Sequence, residues 1–384
     1  MRIRLSTYST KPRGGVVHTL ALAEALARAG HDVEVWALAR GGDTAFFREV
    51  AVPIHLVPVP EIEGESVGDR ILRSIALLAG ALADAGPVDV RHAQDCLTAN
   101  AEGAAAGYGD LVRTVHHLDE FTTPSLVACH ERALVEPAAL LCVSRAVAAE
   151  VLTGWGRTAP VVGNGVDAAR FAAAAAADRG VPWRERFGRY VLAVGGIEPR
   201  KGTRDLVAAM AALAARGVDV PLVVAGGDTL FDYRPYREEV FALAASLGVE
   251  PVVLGPVEDA ALPGLVAGAS AFAFPSTKEG FGLAAMEALA AGVPVVARDL
   301  PVLHEVFAGA VRFAGGSSGA GGAGGAGSEH DEGFAAAFAD ELAGVLAGGD
   351  AGDRARAATG RALAASHSWD AVAQAHLAAY AGIG

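Results

Sequence analysis

The chain lacks the raw material of several protein classes. Its 384 residues include three cysteines, Cys96, Cys129 and Cys142, odd in number and without C-x-x-C spacing. That excludes a disulfide framework and a cysteine zinc cluster, and it points to a reducing cytoplasm. No apolar run reaches the ~18 residues of a membrane-spanning helix. The N-terminus, MRIRLSTYST, lacks the apolar core of a secretory leader and reads as a strand. Basic charge is scarce as well: 31 Lys and Arg against 44 Asp and Glu leave a net charge of −13. Nucleic-acid binding as a main role is excluded on that balance, since neutralising a phosphate backbone needs a basic surface. A small anionic ligand is still accommodated where basic residues cluster locally.

What is abundant is apolar material, 52% of the residues, enough for large cores. The length suggests about two domains. Alanine and glycine are plentiful, a compositional bias that weakens any helix assignment resting on Ala content alone. The opening reads as a βαβ unit: strand Ile3–Leu5, Gly14-Gly15, a helix with apolar Val16, Leu20, Leu22 and Leu26, then Gly30 and strand Val33–Leu38. Such a unit implies a parallel sheet. The alternation continues with a helix near 68–85 and strands at Val88–Ala93, Leu111–Val115 and Ala139–Val143. After Asn164-Gly165-Val166-Asp167, a tight turn, residues 169–189 carry no clear strand and read as a linker. The pattern restarts with strand Tyr190–Val194, helix 203–216 and strand Pro221–Ala225. Helix 235–247, strand Val252–Leu254, helix 259–268 and strand Ala271–Phe274 follow. Two βαβ domains in series result. Residues 314–328, AGGSSGAGGAGGAGS, read as a flexible surface loop, and Ser368 to Tyr380 as a capped amphipathic helix.

The segment 275–296, PSTKEGFGLAAMEALAAGVPVV, carries the most chemistry. A Gly-rich turn, Glu279-Gly280-Phe281-Gly282, opens a helix, and Glu287 lies about one and a half turns inside it. Backbone N–H groups at a helix start suit a phosphate. Carboxylates there suit hydroxyl groups, because ionised carboxylates only accept hydrogen bonds. A ligand with both phosphates and hydroxyls is a nucleotide sugar. The turn Gly195 to Gly202 joins a strand to a helix and offers Arg200 and Lys201 to a diphosphate. Gly15, in the first strand-to-helix loop, allows close backbone approach. His116 and His117 end another strand, and Gln94, Asp95 and Asn100 another. No third ligand spacing supports a metal site there. Arg70 and Arg73 flank IALLAGALA, which suits a membrane surface or a buried helix; the buried helix is the reading adopted.

These blocks resemble the retaining glycosyltransferases of family 4, with the GT-B fold. The matching pieces are GGVVHTLALAEALARAGHDVEV, VSRAVAAEV, NGVDAARF, YVLAVGGIEPRKGTRDLV, the 275–296 segment and HSWDAVAQAHLAAY, spread over nearly the whole chain. The resemblance implies two Rossmann-like doubly wound domains facing a central cleft. Residues 1–168 would form the acceptor side, 169–189 the linker and 190–368 the nucleotide-sugar side, with helix 369–384 packing back on the first domain. It implies a hexosyl donor that is a UDP- or GDP-sugar, an acceptor hydroxyl, no cofactor and no metal. Glu279 would contact the sugar, with backbone N–H groups of Phe281, Gly282 and Leu283 beside it. Glu287 would bond the ribose hydroxyls and Lys201 the diphosphate. Gly15 would lie close to the donor, and His116, or in another register His117, near the reaction centre. One position departs from the family: many members have Arg where this chain has Gly196, and Arg200 is the substitute expected. Two other readings stay open at this point. One is a same-fold sugar phosphorylase or nucleotide-sugar epimerase; the other is a catalytically silent nucleotide-sugar-binding or scaffold protein. A nicotinamide dehydrogenase is disfavoured because the first loop lacks its fingerprint.

Overall fold

The computed structural model describes residues 1–118, 121, 123–227, 233–315, 331–348 and 351–382. Asp119, Glu120 and most of the Gly-rich 314–328 segment lie outside the described residues. The chain divides into two compact units, one of Met1–Gly165 with His367–Gly384, the other of Val166–Ser366. The division falls inside the Asn164–Asp167 turn.

The first unit runs β1 (Arg2–Thr7), α1 (Gly14–Arg28), β2 (Asp32–Arg40), β3 (Ile54–Val59), α2 (Val67–Ala83), β4 (Val90–Ala93) and α3 (Cys96–Ala106). It continues with β5 (Leu111–Val115), α4 (Pro124–Val135), β6 (Ala139–Cys142) and α5 (Arg145–Trp155). The second unit holds α6 (Ala168–Ala176), α7 (Val181–Phe187), β7 (Val191–Val194), α8 (Thr203–Ala215), β8 (Leu222–Ala225), α9 (Arg234–Ser246), β9 (Val252–Gly255) and α10 (Leu262–Gly268). Its remaining elements are β10 (Ala271–Phe274), α11 (Leu283–Ala290), β11 (Val295–Arg298), α12 (Pro301–Phe307), β12 (Arg312–Ala314), α13 (Glu332–Ala347) and α14 (Ala351–Ser366). The chain then returns to the first unit as α15 (Trp369–Ala381).

Each unit has one six-stranded sheet, ordered β3-β2-β1-β4-β5-β6 in the first and β12-β11-β10-β7-β8-β9 in the second. All pairings are parallel. Both orders are the doubly wound Rossmann order, whose reversal lies between β1 and β4 and between β7 and β10. Buried strands read as apolar runs because helices cover both faces: Ile3, Leu5, Val33 and Val35 in the first core, Val191, Leu222, Val224 and Val296 in the second. Val372, Ala373 and Tyr380 of α15 belong to the first core.

The expected linker 169–189 is instead α6 and α7, both in the second unit. Phe171 is fully enclosed, and Arg170 pairs with Asp259 at 2.8 Å. The contact is close enough that a Cβ on Gly180 would lie 2.6 Å from Gly268 Cα, so these helices are packed parts of the domain. On α2 one face is covered through Ile71, Leu78 and Leu82, while Leu72 and Leu77 stay exposed, so that helix is amphipathic rather than buried outright. No helix among the described residues is long and apolar enough to cross a membrane.

Candidate active site

The reversal of the second sheet brings two turns together. β7 pairs with β10 through Val191–Ala271 and Leu192–Phe272, and the chain leaves these neighbours toward opposite edges of the sheet. A crevice forms at their carboxyl ends, the place where doubly wound sheets bind ligands. The turn after β7 and the turn after β10 touch directly: Thr277 N donates to the Arg200 carbonyl at 2.8 Å. Gly202 has φ +63°, and a Cβ there would lie 2.3 Å from the Pro275 carbonyl oxygen, so only glycine allows this approach.

Glu279 is the focus of the charges. Lys201 Nζ lies 2.6 Å from its Oε1 and Arg200 Nη1 3.3 Å from the same atom, with the carboxylate side chain 9% exposed. Burial alone would raise the pKa of Glu279, but the Lys201 and Arg200 charges overcome it and hold the group at about 2. Arg200 also bonds Glu198 at 2.9 Å and the Lys278 carbonyl at 3.3 Å. Two cations and two carboxylates thus form one network, in which the Lys201 ammonium, with three donors in all, spends one on Glu279. The stem of Lys201 packs on Gly195, where a Cβ would come within 3.3 Å of Cε, and its Nζ stands 5.6 Å from the Phe274 ring centre.

Two helix starts add their positive dipole ends to this charge-balanced network. α8 begins at Gly202 and α11 at Gly282, both in the left-handed conformation and both without a side-chain cap. By contrast, α3, α5, α6, α13 and α15 are capped by Asp95, Ser144, Asp167, Asp331 and Ser368. The first-turn N–H groups of α8 and α11 are therefore directed at whatever enters the crevice. Gly282 has φ +98°, and a Cβ on it would meet the Phe307 ring at 2.9 Å. Phe281 is buried beside it and Leu283 begins the helix.

Half-buried Glu287 has a different setting. Among the described residues its carboxylate makes no hydrogen bond or ion pair. Burial pushes its pKa up to about 8; Arg170 opposes this and Asp259 and Asp167 add to it. Glu279 and Glu287 therefore differ sharply, one held ionised by cations, the other a proton-holding acceptor with its bonding capacity unspent.

The first unit places Gly15 and His116 side by side: a Cβ on Gly15 would lie 3.5 Å from His116 Cδ2, ordinary contact. The ring packed on Gly15 is that of His116, not His117. His116 Nε2 lies 3.1 Å from Gln94 Oε1, and its ring stands edge-on to His18 at 4.7 Å. Burial, then the neighbouring histidines, keep His116 neutral well below its usual pKa. Asn164, read above only as a turn residue, is buried and bonds His18 Nδ1 at 3.0 Å. Asn100 bonds the Cys96 and Cys129 carbonyls at 2.7 and 2.8 Å and is structural.

Sequence reading passed over Arg298. Its Nε holds the Pro275 carbonyl at 2.9 Å, it pairs with Asp205 in the first turn of α8, and its guanidinium lies over Phe334 at 3.4 Å. It fixes the turn that presents Glu279. Only its place at the end of β11, one strand from β10, could have signalled this. Among the described residues no group of three His, Cys, Asp or Glu is arranged to hold a metal ion.

Residues 12–170 match the family described as Glycosyltransferase Family 4, and residues 184–316 that described as Glycosyl transferases group 1. The phosphatidyl-myo-inositol mannosyltransferase of Mycolicibacterium smegmatis is 33% identical over 317 residues, 78% of this chain and 76% of that protein. The D-inositol 3-phosphate glycosyltransferase of Xylanimonas cellulosilytica is 32% identical over 97% of this chain and 92% of its own length. Among solved structures, HepE of Anabaena in complex with UDP and glucose superposes with a TM-score of 0.72 at 20% identity, covering 100% of this chain and 99% of that one.

Proposed function

This chain belongs to glycosyltransferase family 4 and has the GT-B fold, and on that premise we propose that it is a retaining enzyme. It moves a hexosyl group from a UDP- or GDP-sugar to an acceptor hydroxyl. The observation that carries this reading is the convergence of Lys201, Arg200, Glu279 and two uncapped helix starts at the sheet reversal of the second unit.

The diphosphate takes the charge of Lys201 and Arg200 and the first-turn N–H groups of α8 and α11. These cations and dipoles do the work that a metal would do elsewhere, stabilising charge as it builds on the leaving group. Arg200 thereby stands in for the cation missing at Gly196. Glu279 accepts from sugar hydroxyls, and Glu287 spends its free acceptor capacity on the ribose diol. Gly15 and His116, already in mutual contact, take the roles that the family resemblance gives them beside the sugar.

In the transfer step the bond from the anomeric carbon to the phosphate oxygen breaks, and its electron pair leaves with the diphosphate. The acceptor oxygen bonds to the anomeric carbon from the same face, and its proton passes to the departing phosphate. A carboxylate nucleophile would instead need to sit about 5–5.5 Å from a partner acid. Glu279 suits that role poorly, because two cations on one oxygen make it a weak base.

Thermal-shift and calorimetric titration with UDP, GDP and ADP, followed by assay of nucleoside diphosphate release from the matching sugars, tests the reading. Stabilisation by one nucleotide and its loss in Glu287→Ala is the expected result. An absence of binding by all three removes the donor assignment, and an inverted anomeric centre in the product removes retention.

A further inference from the structure

The chain's three cysteines lie far apart in sequence but gather around one buried arginine. Leu111, Arg113 and Val115 alternate onto one face of β5. Leu111 packs there with Ala99 of α3 and Ala133 of α4, so Arg113 rises from the same face into the layer beneath those helices. It is 3% exposed. Among the described residues its Nε and Nη1 meet no hydrogen-bond partner and it forms no ion pair. Asp95 spends Oδ1 on Thr98 N at 2.9 Å, and its buried Oδ2 is unbonded among the same residues. The groups that act on the Arg113 charge are Cys96 first, then Asp95, Cys129 and Cys142.

Two of the thiols touch. Cys96 begins α3, Cys129 lies in the middle of α4, and their side chains hydrogen-bond each other. Cys129 Sγ also stands 3.8 Å from the Cys96 carbonyl oxygen and accepts from Asn100 Nδ2 at 3.3 Å. The bond from the Cys96 thiol, and then the Arg113 and Arg132 charges, hold the pKa of Cys129 below its usual value against burial. The same bond and burial raise that of Cys96, which keeps the shared proton. An unpaired buried guanidinium is costly, and a Cys129 thiolate supplies its counter-charge. Burial pushes the Cys142 thiol up to about 12, so it stays protonated. Cys96 is the more exposed of the touching pair, which gives a small oxidant its approach.

Cys96 stands two residues after Gln94, whose Oε1 lies 3.1 Å from His116 Nε2. α4, which carries Cys129, is the next helix after His116. A disulfide of about 2.0 Å draws two sulfurs well inside van der Waals contact. The start of α3 moves with Cys96, and Gln94 with it.

We propose that Cys96 and Cys129 are an oxidation site, and that closing it into a disulfide displaces Gln94 from His116. With hydrogen peroxide as the oxidant, the Cys129 thiolate attacks one peroxide oxygen. An S–O bond forms, the O–O bond breaks and hydroxide leaves, so that Cys129 becomes a sulfenic acid. The Cys96 sulfur then attacks the Cys129 sulfur. The S–S bond forms, and the sulfenic oxygen leaves with the Cys96 proton as water. The first hydroxide takes a proton from solvent, so two sulfurs are oxidised and one peroxide is reduced to two waters. Such a bond is a transient device and no part of a disulfide framework. The thiol site stands on its own; its effect on sugar transfer rests on the transferase reading above.

The test uses the full chain, reduced and then treated with hydrogen peroxide while folded. Mass spectrometry of the intact chain is expected to show the loss of two hydrogen atoms, and an unreduced digest a peptide pair joining Cys96 to Cys129. Cys142→Ala should react as wild type does. Cys96→Ala should stop at a sulfenic acid on Cys129 that dimedone captures. The His116 ring signal in NMR, assigned by its loss in His116→Gln, should shift on oxidation and return with dithiothreitol. Release of nucleoside diphosphate should fall roughly tenfold or more in step with it, the scale of a misplaced site residue. Absence of the Cys96–Cys129 link in wild type, at peroxide levels that oxidise the urea-unfolded chain, overturns the proposal. So does a complete link that leaves the His116 signal in place. A link and a shifted His116 signal in a chain that releases no nucleoside diphosphate even when reduced would uphold the proposal and sink the transferase reading instead.

Discussion

Lys201 Nζ and Glu279 Oε1 are 2.6 Å apart although the residues are separated by 78 positions. The contact exists because β7 and β10 are neighbours in the sheet while their connections run to opposite edges. It holds an ionised carboxylate where little solvent reaches it. One ammonium thereby organises both the residue assigned to the sugar and the site assigned to the diphosphate.

Removing either partner should therefore damage catalysis more than folding. Lys201→Ala and Glu279→Ala are each expected to lower kcat at least ~10²-fold, the scale of a lost transition-state contact. Lys201→Ala still leaves Arg200 against Glu279, which limits the loss of stability. The assay is release of nucleoside diphosphate, with melting temperature as the control. Near wild-type turnover in both variants would place the chemistry elsewhere.

The sheets were legible because local signals mark them. Glycines at 195, 202 and 282 stand where strand gives way to helix, and Val191–Val194 and Ala271–Phe274 are short apolar runs with turn residues beside them. The edge strand β3 was passed over: Pro53 and Pro58 break its pattern, and only an edge position tolerates a proline inside a strand. Residues 169–189 failed as a reading because an alanine run in an alanine-rich chain carries no contrast. What makes it a domain element is long-range contact, Arg170 with Asp259 and Gly180 with Gly268. In the site, the types and spacing of Glu279, Lys201 and Glu287 could be read; the Arg298–Asp205 clamp, 93 positions apart, could not.

Glu287 should make donor affinity depend on pH. Hydroxyl donors favour its ionised form, so nucleotide binding should strengthen as pH rises toward about 8 and level off above it. Folding gives the opposite slope. The folded group keeps its proton up to about 8 and the unfolded one loses it near 4.5, so unliganded stability falls as pH rises between these values. Glu287→Gln should flatten both profiles and weaken the nucleotide. A variant that keeps either slope would assign the titration to another group.

The first unit should be acid-sensitive through buried histidines. His92 Nδ1 bonds Tyr380 OH at 2.7 Å, which ties α15 to β4, and within α15 His376 Nδ1 donates to the Val372 carbonyl at 2.8 Å. Burial lowers the pKa of His18 to about 4 and of His376 to about 3, and that of His92 well below the usual value. The unfolded chain takes up protons near pH 6.5 while the folded chain does not, so stability is present above 6.5 and drains away as pH falls. His376→Gln can keep the bond to Val372 without titrating. Its melting temperature should fall less steeply than wild type between about pH 4 and 6.5. Parallel slopes would count against the histidine cluster.

Two glycine substitutions separate backbone strain from active-site packing. Gly202 and Gly248 share left-handed φ values of +63° and +68°, so an alanine at either carries the same intrinsic strain, about 1–2 kcal/mol. Around Gly248 a Cβ meets nothing within 4 Å. At Gly202 it would lie 2.3 Å from the Pro275 carbonyl oxygen, a backbone atom that Arg298 also holds. That carbonyl can yield only if the turn carrying Glu279 shifts away from Lys201. Gly248→Ala should thus lower the melting temperature by a few degrees and leave nucleotide affinity unchanged. Gly202→Ala should lower it further and weaken nucleotide binding at least about tenfold, since a contact through a charged group is lost with it. Equal effects of the two on affinity would mean that the approach of the β7 and β10 turns does not position the site.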